Sequence, residues 1–181
     1  MARLSVIGRE HVLKHDFEVL EIFTEIEDAF GKIPNLFKTY AHFPPLLKAN
    51  WGKVKAVMMQ GSLSRKVKES IALLVSKDNS CAYCVAAHTS ALRTIGTTDK
   101  ELRMIESEIE IEKSKFTEKE REIIAFVRKA NKDPNKITDK EFDDLRNTGA
   151  SDSEIVEALG VMEIFTAFNK FLDSLNVEVD F

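Results

Sequence analysis

Two cysteines and a histidine lie close together in the segment NSCAYCVAAH, which spans residues 79–88. Cys81 and Cys84 are separated by two residues, and His88 follows four positions after Cys84. On a helix, spacings of three and four place these three side chains along one stripe. A helix N-terminus lowers the pKa of a thiol, and in CxxC motifs that pKa reaches about 7 or below from roughly 8.5. The segment therefore predicts a reactive dithiol, with His88 one turn beyond Cys84 as a base or an imidazolium partner.

A carboxylate in the preceding predicted helix can join this group. Glu69 is flanked by KVK and by the apolar run SIALLV, so periodicity alone assigns it to neither face of the helix. If this helix and the cysteine helix pack as an antiparallel hairpin across KDNS, Glu69 comes level with Cys84 and His88. A carboxylate there can orient the imidazole or relay a proton through water.

Three other interpretations of the same residues stay open. A zinc site would use Cys81, Cys84, His88 and Glu69. Structural zinc sites usually draw four ligands from well-separated turns, and three ligands on one helical stripe fit poorly around a tetrahedral ion. The two cysteines can also be inert core thiols, because free cysteine is often simply buried. A thioredoxin-type CxxC would follow a β-strand in a βαβ context, which this sequence lacks.

The elements that must position these residues are helical almost throughout. Residues 12–30 have apolar side chains at helical spacing, and Pro44 and Pro45 can open a helix that runs through about Gln60. Ser64 is the predicted cap of the helix that carries Glu69.

The cysteine helix is predicted to run from Ser80 to about Ile95, with Asn79 or Ser80 as its N-cap and Cys81 in its first turn. Downstream, the capping-box pattern predicts four more helices, of which the last runs to about Leu175. The four pairs are Thr98 with Glu101, Thr117 with Glu120, Thr138 with Glu141, and Ser151 with Glu154. Strand-length alternation is confined to the terminal NVEVDF, so we predict an all-α fold of about eight or nine helices.

The composition is that of an ordinary globular chain. With 181 residues, 44% hydrophobic and 31% charged, the chain is one domain or two small ones and is long enough to bury a core. We assign residues 1–181 to a single domain. A net charge of −4 does not indicate a positively charged surface for nucleic-acid binding. The longest apolar runs are too short to cross a membrane. The N-terminus lacks the apolar block of a signal peptide, which predicts a cytoplasmic location. In that compartment thiols stay reduced, and a lone CxxC is catalytic or metal-binding.

The pattern Glu69-x11-Cys81-x2-Cys84-x3-His88 closely resembles the alkylhydroperoxidase AhpD-like group of the carboxymuconolactone decarboxylase superfamily. All four positions match the spacing of that group, and the resemblance places the CxxC core at about residues 35–110. Decarboxylases of the superfamily lack the CxxC, so the resemblance is to the peroxidase-related branch. The best-studied members carry a histidine between the cysteines, where this chain has Tyr83.

The resemblance implies an AhpD-like subunit that assembles into trimers or hexamers and acts as an antioxidant peroxidase. It implies a dithiol–disulfide cycle without cofactor or metal, in which Cys84 is the peroxidatic thiol and Cys81 resolves it. Glu69 and His88 would form the proton relay. The implied partners are a small-molecule hydroperoxide, an unknown dithiol or protein reductant, and further copies of the chain.

The residues themselves give opposing indications about the nucleophile. The field of the helix favours Cys81, which lies nearer the N-terminus, whereas proximity to His88 favours Cys84. A specific base outweighs a partial dipole charge usually worth about 0.3–1 kcal/mol, so we expect Cys84 to be the nucleophile. The alternative hypothesis, from a different class, is a non-redox zinc-binding or structural module of the same fold.

Further apolar residues bear on assembly and on substrate access. Phe165, Phe168 and Phe171 are more phenylalanines than one helix face needs internally, which favours their burial in an oligomer. Trp51, Met58 and Met59 are assigned to core packing rather than to an apolar substrate approach.

Overall fold

The computed structural model describes residues 2–12, 16–107 and 115–181. Nine α-helices follow one another in these ranges: α1 Phe17–Phe30, α2 Asn35–Tyr40, α3 Pro44–Met59, α4 Arg65–Asp78, α5 Ala82–Thr94, α6 Asp99–Glu106, α7 Glu118–Lys132, α8 Asp139–Asn147 and α9 Asp152–Leu175. The described residues contain no strand, and the alternating segment NVEVDF is irregular. The predicted all-α fold is confirmed, whereas the assignment of residues 1–181 to one domain stays a prediction.

Polar side chains begin most of these helices where the sequence predicts them. The Ser64 hydroxyl accepts a hydrogen bond from the backbone N–H of Val67 at the start of α4. All four predicted capping boxes are formed, at the starts of α6, α7, α8 and α9. In each box the Ser or Thr side chain accepts from a helical N–H and the Glu side chain accepts from the N–H of the cap residue. Two donors that the helix leaves unpaired are thereby satisfied.

Helix α4 is buried on nearly every side. It packs against α5, α7 and α9, and every side chain from Val67 to Ser76 is buried. Periodicity predicts one inner face, but neighbouring helices cover α4 on several sides. The buried Lys68 accordingly has a charged partner, Glu157 of α9, with 2.6 Å between Nζ and Oε1.

The cysteine helix begins later than predicted. Its N-cap is Cys81, not Asn79 or Ser80, and the backbone at Ser80 is left-handed with φ 62°. The side chain of Asn79 cannot serve as the cap because it hydrogen-bonds to Asn131 and Asn169. Cys81 therefore lies at the boundary of α5, and Cys84 lies in its first turn.

Candidate active site

The α4–α5 hairpin brings a carboxylate and an imidazole together, as antiparallel packing of the two helices predicts. Glu69 Oε2 lies 2.8 Å from His88 Nδ1, and both residues are buried, with 4% and 7% of their surface exposed. Burial of such groups is tolerated because the hydrogen bond compensates for lost water. With Nδ1 engaged by the carboxylate, Nε2 is the ring nitrogen that can exchange a proton with a ligand.

Two further side chains fix the positions of this pair. Arg65, one turn before Glu69 on α4, donates from Nε to Glu69 Oε1 over 3.3 Å. The ring of Phe165 meets the imidazole of His88 edge to face, with 4.2 Å between the ring centroids. The two oxygens of the carboxylate therefore have different partners, and α9 restrains the imidazole.

Both cysteines are free, buried thiols that hydrogen-bond to each other. The pKa of Cys81 lies below its ordinary value because the Cys84 thiol and the Cys84 backbone N–H both donate to its sulfur. The pKa of Cys84 lies above its ordinary value, chiefly because of the same bond to Cys81 and then because of burial. In the resting reduced pair the negative charge is therefore favoured on Cys81, where the N-terminus of α5 also supports it.

The role of His88 as a base for Cys84 stays a prediction. Cys84 and His88 line the same cavity, and Nδ1 of the imidazole is engaged by Glu69. A proton can pass between Nε2 and the Cys84 sulfur directly or through a ligand or a water molecule. Asn169 and Ser76 lower the pKa of Cys84, against the larger effects of Cys81 and of burial.

The polar groups behind Cys84 were not predicted from the sequence. Ser76 of α4 and Asn169 of α9 are both buried, and Asn169 Nδ2 donates to Ser76 Oγ over 3.0 Å. Asn169 Oδ1 accepts in turn from Asn79 Nδ2 over 2.9 Å. In the sequence, Ser76 and Asn169 are each recognisable as a polar residue inside an apolar stretch, ALLVSK and TAFNKF. This pattern does not show that the two side chains contact each other.

A cavity of about 440 Å³ opens on the other side of Cys84. Cys84, Glu69 and His88 all line it, whereas Cys81 does not. Most of the remaining wall is apolar, and its aromatic rings are those of Phe30, Phe37, Tyr83, Phe165, Phe168 and Phe181. The structure thus brings three of the four predicted site residues to one cavity and leaves the fourth behind Cys84.

Tyr83, which stands between the cysteines, anchors the segment after α9. Its hydroxyl donates to Asp180 Oδ1 over 2.8 Å and accepts from the Leu36 backbone N–H over 3.1 Å. Asp180 Oδ2 also accepts from the Asn35 backbone N–H over 3.1 Å. The next residue, Phe181, packs edge to face on the Tyr83 ring and forms part of the cavity wall. Residues 176–181, the C-terminal segment, therefore close one side of the cavity.

The assignments of two groups of apolar residues need separate outcomes. Trp51 is buried in the core, as predicted, and Met58 packs against the core while also lining the cavity. Met59 is 44% exposed and lines the cavity, so its assignment to the core was wrong. Phe165 and Phe168 are buried within the chain, and Phe171 stacks on Tyr40 with 4.0 Å between ring centroids. These three phenylalanines pack inside the subunit, so they do not support an oligomer interface.

Two other findings concern ligands and membranes. Within the described ranges, no group of three or more His, Cys, Asp or Glu side chains is arranged to hold a metal ion. Across the same ranges, no helix combines the length and the apolar character needed to span a bilayer.

The fold is all-helical in the described residues, and a CxxC segment at the start of α5 lies with a buried Glu–His pair beside a largely apolar cavity. Within this chain, residues 44–107 match the sequence profile of the Carboxymuconolactone decarboxylase family, a range that contains all four predicted site residues. The chain is also 32% identical over 81 residues to an alkyl hydroperoxide reductase of Mycobacterium tuberculosis. That match covers 45% of this chain and 24% of the relative, so it spans about a quarter of the relative's length.

Solved structures share the fold along nearly the whole chain. A peroxidase-related protein of Silicibacter sp. TM1040 gives a TM-score of 0.85 at 22% identity, covering 99% of this chain and 92% of that one. The alkylhydroperoxidase AhpD core of Ralstonia eutropha JMP134 gives 0.85 at 23% identity, with coverage of 99% and 92%. The debrominase Bmp8 gives 0.78 at 22% identity, covering 97% and 90%. These identities show the fold alone. Together with the family profile and the curated relative, they confirm the AhpD-like resemblance.

Proposed function

We propose that this chain is a peroxidase-related dithiol oxidoreductase that reduces organic hydroperoxides through Cys84 and Cys81. The observation that supports this most directly is the position of Cys84 on the cavity wall beside Glu69 and His88, with Cys81 behind it. A peroxidatic thiol must be open to its substrate, whereas a resolving thiol needs only to reach the first sulfur.

In the first step, the Cys84 thiolate attacks the terminal oxygen of the hydroperoxide. A sulfur–oxygen bond forms, the oxygen–oxygen bond breaks, and its electron pair leaves with the alkoxide. His88 has taken the thiol proton through the bound ligand or a water molecule, and it returns that proton from Nε2 to the alkoxide. Glu69 stabilises the intermediate imidazolium across the 2.8 Å hydrogen bond. The products are an alcohol and a sulfenic acid on Cys84.

In the second step, the Cys81 thiolate attacks the Cys84 sulfur. A disulfide forms, and hydroxide leaves and is protonated to water. The two sulfurs are already hydrogen-bonded to each other, so this step needs little movement of the chain. An external dithiol then supplies two electrons and two protons and restores both thiols.

The cavity favours an organic hydroperoxide over hydrogen peroxide. A volume of about 440 Å³ with a mainly aromatic and aliphatic wall suits a drug-sized apolar molecule. Two cations, Lys32 and Arg65, are among the lining residues. We therefore expect bulky apolar hydroperoxides to have a lower KM than hydrogen peroxide, with a smaller difference in kcat.

The test is a count of free thiols and bound metal before and after a stoichiometric pulse of cumene hydroperoxide. The proposal predicts that both thiols disappear together, that an intramolecular Cys81–Cys84 disulfide forms, and that one equivalent of alcohol is released. Stoichiometric zinc that shields both thiols would instead support the zinc-binding alternative. Loss of no thiol in the metal-free protein would contradict the proposal.

A second candidate reaction is reductive debromination of an aromatic ring. It is favoured by the aromatic cavity wall together with the fold shared with Bmp8, of which a variant has been solved in complex with 2,3,4-tribromopyrrole. In this reaction a ring C–Br bond is replaced by C–H. The two thiols supply both electrons and become a disulfide, and bromide leaves. Release of bromide from 2,3,4-tribromopyrrole, with no alcohol formed from hydroperoxide, would favour this candidate.

Assembly and location stay predictions. We expect a homo-oligomer, a trimer or a hexamer, located in the cytoplasm. Light scattering at micromolar concentration checks the first point, and a monomer mass would contradict it.

A further inference from the structure

Arg65 of α4 carries hydrogen-bond donors that the rest of the site does not use. Its side chain lines the cavity, and Nε donates to Glu69 Oε1 over 3.3 Å. Among the described residues, no other acceptor meets this guanidinium. A guanidinium has five N–H donors, so the two terminal nitrogens keep theirs for a ligand.

The other cation of the cavity wall is already engaged. Lys32 Nζ hydrogen-bonds to the backbone oxygen of Asp180 and lies 3.8 Å from Asp180 Oδ2. The same ammonium lies 4.0 Å from the centroid of the Phe181 ring. Lys32 therefore holds the C-terminal segment against the cavity, and Arg65 is the cation that can bind a ligand.

The ion pair between Arg65 and Glu69 presents its positive member to solvent. The side chain of Arg65 is 50% exposed and that of Glu69 is 5% exposed. Both oxygens of Glu69 are also engaged, one by Arg65 and the other by His88. An anion that approaches the cavity from solvent therefore meets the guanidinium before the carboxylate. The planar fork of terminal N–H groups matches the two oxygens of a carboxylate.

The cavity offers an apolar path from its rim to Cys84. Four large apolar side chains that line it are partly exposed and mark its rim: Phe30, Met59, Ile95 and Phe181. Cys84 lies inside, with 3% of its surface exposed. Arg65 and Glu69 are one turn apart on α4, a rise of about 6 Å. A ligand that contacts both Arg65 and Cys84 therefore needs an acidic end and a hydrocarbon body of several carbons.

We propose that Arg65 binds the carboxylate of an amphipathic substrate, and that this site takes hydroperoxides of carboxylic acids with a medium-length hydrocarbon chain. The carboxylate accepts from the terminal nitrogens of Arg65 at the rim. The chain lies along the apolar wall and presents the hydroperoxide to Cys84. That the bound molecule is a hydroperoxide rests on the proposed function, whereas the binding of a carboxylate with an apolar chain does not.

The experiment compares two unreactive ligands, octanoate and 1-octanol, which share a hydrocarbon chain and differ in charge. Trp51 is the single tryptophan of the chain. Its ring meets Phe30 and Phe37 of the cavity wall edge to face, with 5.7 and 5.6 Å between ring centroids. Fluorescence of Trp51 therefore reports occupancy of the cavity, and titration calorimetry gives an independent Kd for each ligand.

Arg65→Gln should raise the Kd of octanoate about tenfold, the lower end for a hydrogen bond to a charged group, because Arg65 is half exposed. The Kd of 1-octanol should change by less than about twofold, since the alcohol does not need the charge. Arg65→Lys keeps the charge without the planar fork, so the Kd of octanoate should rise only about threefold. The matched control is Arg93→Gln, which removes an exposed arginine that pairs with Asp99 and does not line the cavity. Both Kd values should stay unchanged in it.

Equal weakening of octanoate and 1-octanol by Arg65→Gln would mean that Arg65 only positions Glu69, and would overturn the proposal. An unchanged Kd for octanoate would do the same. If Arg65→Gln does not fold, salt dependence in the natural sequence provides the test. Raising the salt concentration from about 0.01 M to about 1 M should weaken octanoate relative to 1-octanol, and an equal response of the two ligands would contradict the proposal. These measurements use no peroxide, so failure of the peroxidase assignment is a separate outcome.

Discussion

The two sides of Cys84 differ in polarity and in the work that each can do. The cavity side presents aromatic rings and one ionisable pair, Glu69 and His88. The opposite side presents the Ser76 hydroxyl and the Asn169 amide, which bond to each other and lower the pKa of Cys84 against the larger effects of Cys81 and of burial. The first side can bind an apolar substrate and move a proton, whereas the second acts on the charge of the sulfur. Under the proposed function, substrate recognition and control of the nucleophile lie on opposite sides of one sulfur atom.

This separation has a physical reason. An apolar environment disfavours a thiolate because burial removes water from the charge. Donors placed on the cavity side would restore the charge but would also make that wall polar. Donors behind the sulfur, such as Ser76 and Asn169, stabilise the charge and leave the wall apolar.

The largest expected effect comes from replacing Cys84, whose sulfur lies between the two sides. In Cys84→Ser we expect complete loss of peroxide turnover, because the remaining thiol does not line the cavity. In Cys81→Ser the attack still occurs, but the sulfenic acid on Cys84 has no resolving partner and accumulates. Trapping with dimedone followed by peptide mass analysis checks both outcomes. Sulfenic acid on Cys81 in the Cys84→Ser protein, formed at an undiminished rate, would reverse the two roles.

The next largest effect concerns the cavity side. Glu69→Gln or His88→Ala should lower turnover about 10²-fold, the low end for lost acid–base assistance. The double variant should be little worse than the poorer single one, because the two groups act in series. Turnover depends on both proton transfers, from the thiol and to the alkoxide, whereas alkylation depends only on the first, so alkylation of Cys84 should change less than turnover.

The control for this prediction is His42→Ala, which removes a histidine that does not line the cavity. Steady-state rates and alkylation profiles of the same preparations provide the comparison. Equal losses of alkylation and turnover would mean that Glu69 and His88 act on the resting thiol, and that the cavity side also sets its charge.

The cavity side was largely predictable from the sequence. Helical spacing and the short turn KDNS are local features, and together they place Glu69 opposite His88. The helix starts were predictable for the same reason, because a cap residue and its partner are three positions apart. The exception was the start of α5. There Asn79 is drawn away by Asn131 and Asn169, which local pattern cannot show.

The side of Cys84 opposite the cavity was not predictable from the sequence. Ser76 and Asn169 are 93 positions apart, and their contact depends on how α4 and α9 pack. The opposing effect of Asp173 on Cys81 depends on the same packing. The helix field and His88 are visible in the sequence, whereas the effects of Ser76 and Asn169 on the pKa of Cys84 are not.

A smaller effect is expected from the carboxylate beside Cys81. Asp173→Asn removes a negative charge that raises the pKa of Cys81, so the pair should ionise at lower pH and show more thiolate by ultraviolet absorbance. The added charge resides on Cys81, so peroxide turnover should fall by about two- to fivefold, the range for a partly exposed charge. The control is Glu163→Gln, which removes an exposed carboxylate paired with Lys53 elsewhere on α9. Thiolate and turnover that rise together would show that charge on either sulfur serves the reaction.

The smallest effect is expected from the cavity wall formed by the C-terminal segment. Tyr83→Phe removes the hydroxyl that donates to Asp180, which loosens Phe181 from its place in the wall. A bulky apolar hydroperoxide loses part of its contact surface, so its KM should rise by about twofold, the lower limit for one hydrogen bond. Hydrogen peroxide is too small to use that wall, and its kcat/KM should not change.

Tyr83 also belongs to the CxxC segment, so its substitution alone cannot assign the effect to the wall. Asp180→Ala breaks the same hydrogen bond from the other end, together with the bond from the Asn35 backbone N–H, and leaves α5 untouched. If Asp180→Ala raises KM for cumene hydroperoxide at least as much as Tyr83→Phe does, the C-terminal segment governs binding on the cavity side only. If Tyr83→Phe also changes the pH profile of Cys84 alkylation while Asp180→Ala does not, the tyrosine acts on the sulfur, and the division between the two sides of Cys84 fails at this residue.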